Sequence, residues 1–353
     1  MGDSDRRVSA RLDARFDSST IDVFLTLLLN PPVVWRVFPR DNRYMEATGI
    51  RSGTLRNSIW KHKVLYAMLA VPVIYYIMFR YMPLYGTIIA FKNFKVRSGI
   101  LRSEWVSPFY KHFVTFFESP YFFQLLRNTL LISLYKLFWG MPFSIILAIA
   151  ISEVGNRKFK RIVQTVTYMP HFLSWVIVYG IAYALLSESM GLVNFVIKGV
   201  AGRTVNFLSE PRFFRGILVG SEIWRDVGWG AIIYLAAIAG VDPTLYEAAR
   251  IDGASRVRMV RHITIPAIIP VIIVLFTLRM GRILEAGFEQ VYVFYNVRVY
   301  SVGDIIDTWV FRTGLEQWNF SLASAVGLFK SAIGMSLILT VNTIAKRWGQ
   351  ALW

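Results

Sequence analysis

Residues Gly240–Pro266, GVDPTLYEAARIDGASRVRMVRHITIP, are polar and basic yet lie between two long apolar runs, Phe213–Ala239 and Ala267–Leu278. The stretch carries helix punctuation. Asp242 suits an N-cap, and Pro243 suits the first helical position, where its missing N–H would be unpaired in any case. Leu245 to Ile251 then propagate a short helix, with two alanines and Glu247 and Arg250 at helical spacing. Gly253 interrupts it, and Pro266 marks the return to apolar sequence. The pattern predicts a short helix held outside the bilayer on a compact loop, presented so that it can dock into another protein.

Composition places that loop in a membrane protein. Of 353 residues, 55% are hydrophobic and only 17% charged, less charge than a soluble domain of this size carries. Several apolar stretches approach the roughly 20 residues needed to cross about 30 Å of hydrocarbon. The formal net charge of +17 is read as basic residues beside membrane spans rather than as a nucleic-acid footprint. There is no Cys, which excludes disulfides and thiolate metal sites, and the four His (62, 112, 171 and 262) make no metal-ligand spacing.

Six spans are predicted, at about 64–79, 122–152, 162–186 (kinked at Pro170), 213–239, 267–295 and 321–344. Residues 1–60 form a cytoplasmic extension without a cleavable signal peptide, and Ile21–Leu29 within it is too short to span and is read as an interfacial helix or as a partly ordered tail. With the amino terminus inside, the inner segments hold 21 Lys and Arg against 12 outside. The bias places both termini and the 240–266 loop in the cytoplasm.

The loop resembles a known signature. Glu247-Ala248-Ala249, Gly253 and Ile263-x-Ile265-Pro266 look like the EAA motif of ABC importer permeases, with Ile265 standing where the family pattern has Leu. The resemblance continues through NTLLISLYKLFWGMPFSIILAIAISEV (128–154), TVTYMPHFLSWV (165–176), GWGAIIYLAAI (228–238), GFEQVYVFYN (287–296), DIIDTWVFRTGL (304–315) and SAVGLFKS (324–331). These look like the carbohydrate branch that handles oligo- and polysaccharides, and the likeness covers about Trp60 to Trp353. It implies an all-α integral membrane protein, with six transmembrane helices in the type I importer fold over residues 61–353 and a cytoplasmic coupling helix.

The phosphate-cradling pattern G-x-x-x-x-G-K-[ST] is absent, so the chain is expected to bind no cofactor and catalyse nothing itself. The resemblance implies that ATP and Mg belong to two partner nucleotide-binding subunits, which Tyr246, Glu247, Ala248, Ala249, Asp252 and Gly253 would engage. It also implies a second permease subunit, in a heterodimer rather than a homodimer, and a periplasmic or extracellular solute-binding protein. The bacterial inner membrane is the implied location, with lipid around the spans and no nucleic acid bound.

Charges inside spans bear on the cargo. Each costs about 2.5–3.5 kcal/mol at mid-bilayer and must face a partner or a wet cavity. Arg279, Arg282, Glu285 and Glu289 are expected to share much of one helical face, while Glu222, Arg225 and Asp226 cluster near Trp224 and Trp229. Lys136 and Lys330 look isolated. Internal pairing, Arg282 with Glu285 or Glu289 and Arg225 with Glu222, stands beside a path-lining role for Arg225, Trp229, Arg279, Arg282, Glu285 and Glu289. Similar permeases usually carry small or uncharged residues where Arg279 and Arg282 stand. That departure favours an anionic cargo such as an alginate-like uronate polymer. Gly216 and Gly220, at small-xxx-small spacing, offer a helix-packing seam. The charges also admit two other classes. One is an ion-coupled transporter using Glu222, Asp226 or Glu285, and the other a membrane enzyme using Asp304, Asp307 and Glu316.

Overall fold

The computed structural model describes residues 60 and 62–347. The expected interfacial helix at Ile21–Leu29 lies outside the described residues. The chain divides into two compact units, residues 1–81 and 82–353. Within the first, α1 spans Lys63–Tyr76.

Among its described residues, the regular structure of the second unit is helical apart from one two-residue ladder, β1 (Lys92–Asn93) antiparallel to β2 (Glu104–Trp105). Its α-helices of six residues or more are α2 (Lys111–Phe117), α3 (Phe122–Ser152), α4 (Arg157–Tyr168), α5 (Trp175–Leu186), α6 (Leu192–Ala201) and α7 (Pro211–Ala239). Then follow α8 (Pro243–Ile251), α9 (Ile265–Gly281), α10 (Phe288–Phe294), α11 (Ile306–Phe311) and α12 (Phe320–Lys346).

Among the described residues, four helical stretches are long and apolar enough to cross a membrane: Lys63–Phe91, Phe122–Ser152, Arg256–Gly281 and Phe320–Lys346. Two bent pairs raise the number to six if each is one span: Arg157–Phe172 with Trp175–Leu186 at 105°, and Pro211–Ala239 with Pro243–Ile251 at 72°. The helical apolar run that starts at Lys63 continues to Phe91, beyond the expected end near 79, because MPLYGTIIAF is itself apolar.

Two expected spans are broken. The third starts at Arg157, capped by the Asn156 side chain on the N–H groups of Lys158 and Phe159. It turns through 105° between Phe172 and Trp175, just beyond the kink expected at Pro170, which lies in a 3-10 turn over Met169–Phe172 that prolongs the first segment. The Ser174 side chain caps the restart by accepting from the N–H of Ile177, so the bend is a stop and a new start. The fifth ends at Gly281, well short of Tyr295, and the chain turns through Arg282–Gly287 before α10. Gly287 sits at φ 84°, and a Cβ there would stand 2.7 Å from Lys136 Nζ, so only glycine fits this turn.

The core is built on α3 against α7. One buried cluster joins Ile132, Phe214 and Leu218 to Val291 and Phe294 of α10. A second joins Leu137, Met141, Ala231 and Tyr234 to Ile283 and Leu284 of the turn. A third packs Phe116, Leu125 and Ile306 on Leu322 and Val326 of α12. The expected seam at Gly216 and Gly220 does not form, since nothing lies within 4 Å of a Cβ at either position. The close approaches are made by Gly228, whose added Cβ would meet Thr167 O at 2.0 Å, and Gly230, whose Cβ would meet Ser144 Oγ at 2.7 Å. These two glycines draw α4 and α3 onto α7 on either side of Trp229.

Candidate functional site: a charged cleft and an exposed loop helix

The loop helix α8 forms as its punctuation dictates. Asp242 accepts the N–H of Thr244 at 2.9 Å, and Pro243 takes the first helical position. Those hydrogen bonds hold the Asp242 carboxyl below its ordinary pKa. At the far end Gly253 adopts φ 73°; its N–H bonds Arg250 O at 3.1 Å, and that of Ala254 bonds Ala249 O at 2.8 Å. This is the left-handed Schellman termination, which satisfies carbonyls the helix would otherwise leave open.

The helix has two faces. Tyr246 and Ala249 are half-buried, and the Tyr246 hydroxyl hydrogen-bonds that of Thr264 at 2.9 Å. Leu245, Ala248 and Ile251, spaced by three, are exposed, Ile251 at 87%. Glu247, Asp252 and Gly253 are exposed as well. No ion pair joins Glu247 to Arg250 among the described residues. The outward apolar row is therefore Leu245, Ala248 and Ile251, and Ala249 belongs to the inward face.

Between α3, α7 and α9 lies a cleft of about 610 Å³, lined by Trp229, Tyr234, Arg279, Arg282 and Glu285 among others. A second, of about 850 Å³, takes in Trp175, Glu289 and Asp307 and shares Arg282, Glu285 and Gly287 with the first. The two clefts share that wall at the break of the fifth span and are together called the groove. Arg279, Arg282, Glu285 and Glu289 do not share a helical face, because α9 ends before Arg282 and Glu289 belongs to α10. The turn, not the helix period, brings them to the same groove.

The charges partition clearly. Lys136, 7% exposed, is not isolated: its Nζ donates to Ala286 O at 2.9 Å, pairs with Glu222 at 2.6 Å and reaches Gln290 Oε1. Gln290 in turn donates to Leu218 O and Ser221 Oγ. Lys330 pairs with Asp307. Arg225 does not pair with Glu222 and lies outside the lining of the first cleft. It contacts Asp226 at 3.3 Å, donates to Leu173 O at 3.0 Å and sits 4.4 Å over the Trp175 ring. Asp226 also takes the His171 Nδ1 hydrogen bond at 2.7 Å. Arg282 pairs with Glu285 at 2.8 Å in an exposed bridge. Arg279 and Glu289 are exposed to the groove and form no ion pair among the described residues.

The carboxylates considered for ion coupling, Glu222, Asp226 and Glu285, are thus all ion-paired. Asp304, considered for acid–base chemistry, is 3% exposed and gripped by both Arg312 amino groups at 2.9 and 2.5 Å, with Thr308 donating to it at 2.7 Å. That network is a clasp on the 300–316 segment: burial pushes the Arg312 pKa down, but the bonds to Asp304 and Tyr295 together outweigh it and leave it raised. No group of three or more His, Cys, Asp or Glu that could hold a metal ion occurs among the described residues. Sequence reasoning missed Lys136, Gln290 and His171. Lys136 and Gln290 each stand alone in an apolar run, and only the fold shows that they meet.

A bundle of apolar spans around a charged groove, with one amphipathic helix held on a loop between two of them, defines a polytopic membrane permease. The chain belongs to the family of binding-protein-dependent transport system inner membrane components, whose family model matches residues 140–352. It is 46% identical over 290 residues to the polygalacturonan/rhamnogalacturonan transport system permease protein YteP of Bacillus subtilis (strain 168), covering 82% of this chain and 90% of that one. Protein LplB of the same organism is 44% identical over 290 residues, 82% of this chain and 91% of that one. Among solved structures, a chain of a bacterial alginate ABC transporter, crystallised with an alginate pentasaccharide-bound periplasmic protein, superposes with a TM-score of 0.76 at 37% identity. The match covers 84% of this chain and 99% of that one.

Proposed function

We propose that this chain is the membrane subunit of an ATP-driven importer and carries an acidic oligo- or polysaccharide through the groove. The observation that carries the reading is Arg279, a guanidinium exposed in the groove with no ion pair among the described residues, in the same cleft as the indole of Trp229. A cation kept unpaired at membrane depth is costly unless a ligand or water meets it. Arg can hold a uronate carboxylate through two parallel hydrogen bonds, and an indole face can stack on the C–H surface of the sugar ring. The relatives support the same class: one is a polygalacturonan/rhamnogalacturonan permease and another belongs to an alginate transporter.

Energy is proposed to come from ATP and Mg held by two partner subunits, with α8 seated in a groove on one of them through Leu245, Ala248 and Ile251. A sister permease completes the path, with a heterodimer as the proposed arrangement. A solute-binding protein delivers cargo from outside, and both termini lie inside. Alternating access then proceeds by rigid-body motion of the helices around the groove, without bond chemistry in this chain.

The test is uptake by the assembled complex in liposomes, comparing tetragalacturonate and an alginate tetramer with a neutral β-1,4-galactan tetramer. Arg279→Ala is expected to reduce acidic uptake about tenfold or more, the worth of a charge-assisted hydrogen bond, and to spare the neutral sugar if it is carried. Equal losses for acidic and neutral cargo, or wild-type uptake of neither acid, would reject the acidic-saccharide reading.

A further inference from the structure

We infer that His171 and Asp226 form a positioning pair for Trp229, holding the indole rigid from behind so that its other face meets a saccharide ring; this rests on the reading of the cleft as the saccharide path. The His171 and Trp229 rings are stacked at 4.5 Å and 3°. Phe172 abuts the same indole edge-on at 5.7 Å and 82°. Trp229 is nonetheless 46% exposed and lines the cleft, so one face is occupied by protein and the other is open.

The backing ring is itself fixed. Asp226 Oδ1 lies 2.7 Å from His171 Nδ1, a hydrogen bond that fixes the plane of the imidazole. Asp226 is steadied by Arg225, which is anchored on Leu173 O and over Trp175. All of this sits at the 105° break between α4 and α5. Gly228 admits the Thr167 backbone so closely that the break lands over the next residue, Trp229. The break therefore has a local consequence: it turns a histidine flat onto an indole that α7 alone would leave free to rotate.

A ring held in one rotamer loses less entropy when a sugar stacks on it than one that must be ordered first. The contribution of His171 should therefore depend on the indole being present. The test uses the assembled transporter in liposomes with saturating loaded solute-binding protein, reading uptake of radiolabelled tetragalacturonate and of an alginate tetramer, with co-purification of the subunits as the measure of assembly. His171→Ala is expected to lower uptake about fivefold, the scale of an aromatic pair. In a Trp229→Ala background the same substitution is expected to change uptake less than about 1.5-fold. His171→Phe keeps a ring but loses the bond to Asp226 and should retain part of the uptake, whereas His171→Leu fills the space without a ring and should behave as His171→Ala.

Losses that multiply in the double variant, or Leu rescuing as well as Phe, would overturn the positioning role while leaving the path reading intact. Wild-type uptake in Trp229→Ala would overturn both. Should His171→Ala fail to assemble, the Phe-against-Leu comparison carries the decision by itself.

Discussion

The hydroxyl of Tyr246 on the loop helix lies 2.9 Å from that of Thr264, a residue 1% exposed at the foot of α9. One side-chain hydrogen bond thus ties the element proposed to receive force to the span that carries Arg279 at its other end. The two residues are 18 positions apart, joined otherwise by an exposed turn around Gly253. Removing the tyrosyl oxygen leaves the buried threonine hydroxyl short of a partner, a loss of about 0.5–1.5 kcal/mol net. Tyr246→Phe is expected to preserve assembly and ATP hydrolysis but to lower cargo moved per ATP, about threefold or more on that scale. Thr264→Val should reproduce it. Wild-type stoichiometry in both variants would mean that α8 and α9 move together through the backbone alone.

The outward row of the same helix makes a different expectation. Leu245, Ala248 and Ile251 are exposed, and burying an isoleucine is worth about 1.5–3 kcal/mol. Ile251→Glu should therefore weaken association with the ATPase subunit by about tenfold or more while leaving membrane insertion unchanged. Ala249→Ser, on the inward face, should leave the affinity within about twofold. Co-purification titrations distinguish the two, and equal effects would mean that the helix docks by another face.

Gly253 is constrained by conformation and not by space: its φ is 73°, and nothing lies within 4 Å of an added Cβ. Gly253→Ala should cost about 1–2 kcal/mol of loop stability through the left-handed backbone alone. Gly253→Asn should cost less, because asparagine tolerates that region. The expected order for cargo-stimulated ATP hydrolysis is glycine, asparagine, alanine. An alanine variant at full rate would show that the Schellman turn is dispensable.

The Asp242 cap carries a pH expectation. Its folded pKa is lowered, so the carboxylate stabilises the start of α8 fully at pH above the unfolded value, and the contribution is lost as pH falls through the folded value. Asp242→Asn retains an acceptor for Thr244 N–H and should remove this acid sensitivity while keeping coupling near wild type. Asp242→Ala should lower coupling at every pH. An acid profile of coupling that is unchanged in Asp242→Asn would assign the sensitivity to another group.

How much of this was legible in sequence follows from where the signals are local. The cap at Asp242, the stop at Gly253 and the apolar run lengths are properties of neighbouring residues, and α8 and the long spans formed as their patterns required. The break between Phe172 and Trp175 and the turn at Arg282–Gly287 were not legible: Ser174 supplies a local cap for the first restart, but the side-chain contacts made at both turns come from residues far along the chain. Lys136 must reach Ala286 O, and Asp226 must reach His171, before either turn is favoured. The charges at 279–289 converge on one groove although the helix expected to align them ends first. Gly216 and Gly220 matched a packing motif by spacing, but Gly228 and Gly230 are the glycines that other helices approach. Spacing identifies small residues without identifying their neighbours.

The Lys136–Glu222 pair tests whether the broken fifth span is held by that buried cation. Lys136 Nζ meets Glu222, Ala286 O and Gln290 Oε1, so one ammonium satisfies groups from α7, the turn and α10. Removing one partner of a fully buried pair costs about 3–5 kcal/mol, mostly from the charge left behind; Glu222 is 25% exposed and lines the first cleft, so water meets part of its charge and the loss here should fall below that range. Lys136→Met fills similar volume but leaves Glu222 and the Ala286 carbonyl uncompensated. It is expected to lower the detergent melting temperature of the complex sharply. Glu222→Gln removes the charge and keeps an acceptor, so its loss should be smaller. Combining the two substitutions should recover part of the lysine loss, because the carboxylate no longer needs a counter-ion. If the double variant melts no higher than Lys136→Met, the cost lies with the carbonyl and Gln290, and the turn is held by hydrogen bonding and not by the ion pair.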